Sequence, residues 1–126
     1  MPEEHLVPVI SVVDDDPSVR RALRRLLQSA GYVVEAFASG QEFLASDPPG
    51  RIACIVLDIR LNGMTGFELQ ERMAADRTDI PIIFITAHDD VPTRERVQKA
   101  GAVAYLPKPF DGATLLAAVE SAAGPA

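Results

Sequence analysis

The chain has 126 residues, 48% of them apolar. That is enough for one domain with a single core and too apolar for a disordered chain. Its formal net charge of −6 argues against a segment that grips a nucleic-acid backbone unaided. No apolar run approaches the roughly 20 residues of a membrane span.

Met1 to Pro8 holds charge and proline, does not resemble a signal peptide, and reads as an N-terminal extension. Val9–Val13 is a strand-like apolar run that ends in Asp14-Asp15-Asp16. Asp16-Pro17 has the form of an N-cap followed by the first helical residue. Val19, Ala22, Leu23, Leu26, Leu27 and Ala30 then recur at helical spacing, and Gly31 closes the helix. Arg20, Arg21, Arg24 and Arg25 fall mainly off that face and read as solvated. Tyr32–Phe37 predicts a second strand. Ser39, with Glu42 three residues on, predicts a capped helix to about Ala45. Asp47-Pro48-Pro49-Gly50 is a loop.

Ile52–Asp58 is the organising stretch. Six mostly apolar residues run into one carboxylate, the pattern of a strand buried on both faces. The single cysteine, Cys54, lies inside this run and reads as a small core residue; a lone cysteine allows no internal disulfide and suits a reducing cytosol. A carboxylate at the strand end costs stability unless something pairs with it. Arg60–Gly66 is a turn-rich loop, and Phe67, Leu69, Met73 and Ala74 suggest a third helix. A polar connection, Asp76–Asp79, leads to the strand Pro81–Ile85, which ends in Thr86. His88-Asp89-Asp90 precedes a helix over Val91–Ala100 that has few large apolar residues, so it is expected to be the most loosely held. Ala102–Leu106 is a last strand, ending in Pro107-Lys108-Pro109. Asp111 caps a last helix carrying Leu115, Leu116 and Val119, and 124–126 reads as the start of a linker.

Strand and helix alternate five times, which calls for a parallel sheet covered on both faces, with one domain over 9–123. In such sheets ligands bind beyond the carboxyl ends of the strands, at a switch point in strand order. Acids, a further acid, a hydroxyl and an amine from four strands meet at that edge. Asp14, Asp15 and Asp58 repel one another. Lys108 offsets part of this, and oxygen-only ligands at a wet edge suit Mg²⁺. A metal beside a carboxylate also neutralises an incoming phosphoryl group, which makes the carboxylate a nucleophile for an aspartyl-phosphate.

Val13-Asp14-Asp15-Asp16, Leu57-Asp58, Thr86-Ala87 and Lys108-Pro109-Phe110, in this order, resemble the receiver domain of two-component response regulators over nearly the whole chain. The resemblance implies a five-stranded 2-1-3-4-5 sheet of the flavodoxin-like, doubly wound kind. It implies Asp58 as phosphoacceptor for a sensor histidine kinase. Asp15, Asp58 and the backbone carbonyl of Arg60 would ligate Mg²⁺, with Asp14 acting through water. Thr86 and Lys108 would contact the phosphoryl oxygens, Tyr105 would be the aromatic switch, and Lys108-Pro109 would be a cis peptide. Arg60 and His88 stand at positions that tune phosphoryl lifetime, and Asn62 replaces a frequent proline. The wording of Ala38–Leu44 is most like the nitrogen-fixation-regulator (FixJ/NarL-like) branch. That branch implies a homodimer on phosphorylation through the Val91–Ala100 helix and Ala102–Leu106 strand, and contact with DNA only through a further output domain. A stand-alone regulator that acts by protein binding is the alternative.

Two other classes fit less well. A haloacid-dehalogenase-type phosphatase needs a second acid two residues after its nucleophile, where this chain has Arg60. A flavodoxin cradles a phosphate in its first loop, where Asp14-Asp15-Asp16 would repel it.

Overall fold

A computed structural model describes residues 7–47, 50–75 and 79–126. Five parallel strands alternate with five helices: β1 (Pro8–Val13), α1 (Pro17–Ser29), β2 (Val33–Phe37), α2 (Gly40–Leu44), β3 (Arg51–Asp58), α3 (Gly66–Ala75), β4 (Ile82–Thr86), α4 (Val91–Ala100), β5 (Ala104–Pro107) and α5 (Gly112–Ala123). The strand order is β2-β1-β3-β4-β5, as expected. Half of the loop at 47–50, most of the connection at 76–79 and most of the N-terminal extension lie outside the described residues.

Strand periodicity divides the interior into two clusters. Ile10 and Val12 of β1, Cys54 and Val56 of β3, and Ile83 and Ile85 of β4 join Leu23, Leu27, Leu115 and Val119 of α1 and α5. Val13, Ile55, Leu57, Ile82 and Phe84 join Phe43, Phe67, Leu69, Met73 and Val97 of α2, α3 and α4. A parallel sheet covered on both faces needs apolar residues on both pleats, which is why its central strands read as unbroken apolar runs. Burial pushes the Cys54 thiol up to about 12, so it stays protonated and inert.

Several helix ends follow their sequence signals. The Asp16 carboxylate accepts the Ser18 N–H at 2.8 Å, and Asp111 accepts that of Thr114 at 2.7 Å. Ser39 accepts the Glu42 N–H at 3.1 Å, while Glu42 reaches back to the N–H of Ala38, one residue before the cap. α4 ends in Gly101 at φ 75°, a left-handed position that glycine occupies without steric cost.

Some expectations shift. β4 starts at Ile82 because Pro81 has no N–H for the ladder; its carbonyl still accepts the Ile55 N–H at 3.0 Å. β5 covers Ala104–Pro107 rather than Ala102–Leu106. Val103 donates its N–H to Ile82, but its side chain is exposed and the ladder register begins at Ile83 opposite Ala104. Ala22, Ala30 and Ala74 carry helical spacing yet lie exposed, because the stripe each helix buries is narrower than its apolar sequence pattern. α4 buries only Val97, as its composition implies. Polar ties supplement that anchor: Gln70 donates to the Ala100 carbonyl at 2.7 Å, and the Arg96 guanidinium lies 4.3 Å from the centre of the Phe67 ring.

Candidate functional site

β1 and β3 are neighbours, while β2 lies beyond β1, so the chain reverses its winding between them. The carboxyl ends of β1 and β3 therefore form the crevice of this sheet. Asp14 follows β1 directly, Asp15 comes next, and Asp58 ends β3. Their carboxylate oxygens lie within 4.8 Å of one another. Asp14 and Asp58 are buried and Asp15 is half-buried.

Lys108 comes from the loop after β5. Its ammonium donates to Asp14 Oδ2 at 2.9 Å and to Asp58 Oδ2 at 3.2 Å. The other oxygens are also held. Asp14 Oδ1 accepts the Asp16 N–H at 2.9 Å, and Asp58 Oδ1 accepts the Arg60 N–H at 3.1 Å. Arg20 donates to the Asp14 carbonyl at 2.8 Å, so one arginine of α1 serves the site rather than solvent alone.

Three carboxylates against one ammonium leave a formal charge of −2. Burial, then the neighbouring charge of Asp14, pushes the Asp58 carboxyl up to about 6; Lys108 and the Arg60 N–H pull it partly back. Burial works against the Lys108 ammonium, but its hydrogen bond to Asp14 and the charges of both acids outweigh this, and its pKa lies above the ordinary lysine value. Clustered oxygen donors, an excess of negative charge and an opening to solvent at Asp15 fit a hard divalent cation.

Thr86 ends β4, buried, and its hydroxyl accepts the His88 N–H at 3.0 Å. The Thr86 carbonyl also accepts the Lys108 N–H at 2.6 Å, which ties the two strand ends together. Lys108-Pro109 is cis. His88 and Arg60 are exposed. Tyr105 is half-buried on the α3 and α4 face, and its hydroxyl donates to Asp89 Oδ1 at 3.0 Å.

Two contributors were not apparent from sequence. Thr65 and Glu68 form a reciprocal capping box at the start of α3, at 3.1 and 2.8 Å, and end the loop that begins at Asp58. The Thr-x-x-Glu spacing was the available signal. Gly66 donates to the Ile59 carbonyl at 2.8 Å, and a Cβ built on it would lie 2.6 Å from the Asp58 carbonyl oxygen. Gly66→Ala is therefore expected to push the Asp58 end of β3 out of place. The cost should be about 1–3 kcal/mol of stability, as for overpacking elsewhere. Unchanged urea unfolding in the variant would show that the loop absorbs the methyl group.

A doubly wound sheet with an acidic cluster and a lysine at its switch point defines the class of the protein. Residues 10–120 match the response regulator receiver domain. The chain belongs to that family, whose members are phosphoacceptor switches, bind Mg²⁺ at the acidic pocket and are phosphorylated by histidine kinases. It is 46% identical over 114 residues to nodulation protein W of Bradyrhizobium diazoefficiens, covering 90% of this chain and 50% of that protein. With the transcriptional regulatory protein FixJ of the same species it shares 43% identity over 113 residues, covering 90% and 55%. Among solved structures, the response regulator StyR superposes with a TM-score of 0.85 at 50% identity, covering 93% of this chain and 59% of that one. These relatives fit the nitrogen-fixation-regulator branch. The chain spans about half the length of the curated relatives it matches.

Proposed function

We propose that this chain is a phosphorylation-dependent switch in which Asp58 takes a phosphoryl group from the phosphohistidine of a sensor kinase and relays its presence to an output. The observation that carries this reading is the Asp58 carboxylate. It is buried at a strand end, bridged through Lys108 to Asp14, and clustered with Asp15. An Asp58 oxygen attacks phosphorus. The new O–P bond forms as the P–N bond breaks, and the imidazole nitrogen keeps the electron pair. Small phosphodonors serve the same step without the kinase. Incubation with acetyl phosphate and Mg²⁺ should add one acid-labile phosphoryl group by intact mass; no gain would overturn the reading.

Asp15, Asp58 and the Arg60 carbonyl would hold Mg²⁺, with Asp14 acting through water. Bound there, the metal supplies the positive charge that lets an anionic phosphoryl group approach three carboxylates. Asp15→Ala deletes the most solvent-accessible of the three acids. It should abolish Mg²⁺-dependent phosphorylation and leave the unfolding transition in place. Undiminished Mg²⁺ affinity, measured by titration, would contradict the assignment.

Lys108 and the Thr86 hydroxyl would bind the phosphoryl oxygens. Arg60 and His88, exposed beside them, would tune how slowly the group is lost to water. Thr86, drawn toward the phosphoryl, gives up the His88 N–H and leaves space into which Tyr105 turns. The release shifts α4, whose single buried anchor is Val97. Val91 at the start of α4, 57% exposed, and Val103 just before β5, 54% exposed, then add apolar surface to a symmetric face made from α4 and β5. Arg94 is held by Asp89 of its own chain in the resting structure, so Val91 is the better test of this face. Sedimentation should find a monomer that dimerises with beryllofluoride and Mg²⁺. Val91→Glu should weaken that dimer by about tenfold or more, the loss typical of an interface hot spot. A dimer indifferent to this change would exclude the face.

The names of the longer relatives support an output in transcription, through a DNA-binding domain beyond this one. Residence in the cytoplasm follows from the kinase partner.

A further inference from the structure

We propose that Asp89 is a positioning residue that holds Tyr105 in its resting orientation and so sets how readily Asp58 is phosphorylated. The inference rests on the switch reading above. Asp89 is in the connection between β4 and α4, three residues after Thr86. One of its oxygens, Oδ1, accepts the Tyr105 hydroxyl at 3.0 Å and lies 2.9 Å from Arg94 Nε as an ion pair. The ordinary role of an acid at this place is to cap the helix, and the next residue already does so: Asp90 accepts the Thr93 N–H at 2.8 Å. Among the described residues, the Asp89 carboxylate has only Tyr105 and Arg94 as partners.

The connection thus holds both moving groups of the switch. The His88 amide holds the Thr86 hydroxyl at 3.0 Å, and the Asp89 carboxylate holds the Tyr105 hydroxyl one residue further on. Tyr105 cannot turn inward without leaving Asp89. Arg94, on the first turns of α4, keeps the carboxylate oriented toward the tyrosine and links the latch to the helix that shifts. A contact made only in the resting state opposes phosphorylation by the free energy of that contact, through linkage. The Asp89 side chain is 39% exposed, so solvent screens the contact and its effect is modest.

The chain contains two tyrosines and no tryptophan, so in Tyr32→Phe the remaining tyrosine fluorescence belongs to Tyr105. A carboxylate that accepts the phenol proton quenches this emission. In the Tyr32→Phe chain, Asp89→Ala should raise the resting emission. It should also speed phosphorylation by acetyl phosphate with Mg²⁺ by about two- to fivefold, the range of a partly exposed charged contact. Removal of a negative charge near the site would by itself speed the reaction, and a double-mutant cycle separates the two causes. With Tyr105→Phe as the parent, Asp89→Ala should bring only the smaller gain that comes from charge. Equal acceleration in both backgrounds would assign the effect to charge alone and overturn the latch. An unchanged rate, or unchanged resting emission, in the variant would overturn it too. A chain that gains no phosphoryl group at all overturns the switch reading and the latch together, whereas normal uptake indifferent to Asp89 overturns only the latch.

Discussion

Asp58→Asn is expected to take up no acid-labile phosphoryl group from either a kinase or acetyl phosphate. The amide keeps the shape of the side chain and its acceptor oxygen for the Arg60 N–H, but loses the anionic oxygen that would attack phosphorus in the proposed reaction. The neighbouring acids do not replace it. Asp14 is fully buried, with one oxygen on the Asp16 N–H and the other on Lys108. Asp15 follows Asp14 beyond the end of β1, toward solvent and without the lysine. A full phosphoryl mass on another residue of the variant would refute the assignment. The same substitution carries a stability signature. Burial and Asp14 raise the Asp58 carboxyl to about 6, above its ordinary value of 3.8. An acid whose folded pKa lies above its unfolded value binds its proton more tightly when folded. The contribution of Asp58 to stability is therefore highest below about pH 4, falls as pH rises through about 6, and levels off above. In metal-free buffer at pH 7 the ionised carboxylate costs the fold on the order of 2–3 kcal/mol. Asp58→Asn should recover part of that and flatten the pH 4–6 slope in urea unfolding. A variant less stable than its parent at pH 7, with the slope retained, would show that Lys108 more than offsets the repulsion.

Lys108→Ala is expected to act in the opposite direction. Without the ammonium, Asp14 and Asp58 face each other with no cation between them. Hydrogen bonds to charged groups are worth about 1.5–3 kcal/mol. Lys108 keeps 20% of its side chain exposed, so water will replace part of what is lost. A destabilisation of about 1–3 kcal/mol at pH 7 is expected, against the 3–5 kcal/mol of a fully buried pair. The gap from the parent should narrow as pH falls toward 5, because a protonated Asp58 no longer needs the ammonium and its pKa rises further once the lysine is gone. Equal stability at pH 7, measured in chelator, would make Lys108 a mere surface charge. In function the variant should still bind Mg²⁺, since the acids remain, yet show no dimer with beryllofluoride. A normal dimer would remove Lys108 from the path between the phosphoryl group and α4.

The two variants separate what the chemistry of single residues shows from what their assembly adds. Each carboxylate or amine at a strand end is unremarkable alone. It was their order along four strands that was legible, because a parallel sheet brings all its carboxyl ends to one edge whatever the loops between them. Lys108 thus reaches partners 94 and 50 residues away in sequence.

Local physics carried much else. Apolar runs, period-3.6 stripes and acids before prolines or turns determined the element order, the buried strands and several caps, since these signals act within a few residues. The sheet ladder and the burial of neighbours decided the rest. Pro81 lost its place in β4 for want of an N–H, and β5 shortened where its side chains met solvent. Gly66 read as one more turn glycine, because nothing local indicates that the Asp58 carbonyl passes where its side chain would be. Asp89 and Asp90 are the same residue type side by side. Which one caps α4 and which one holds Tyr105 depends on where β5 presents a hydroxyl, and only the packed sheet determines that.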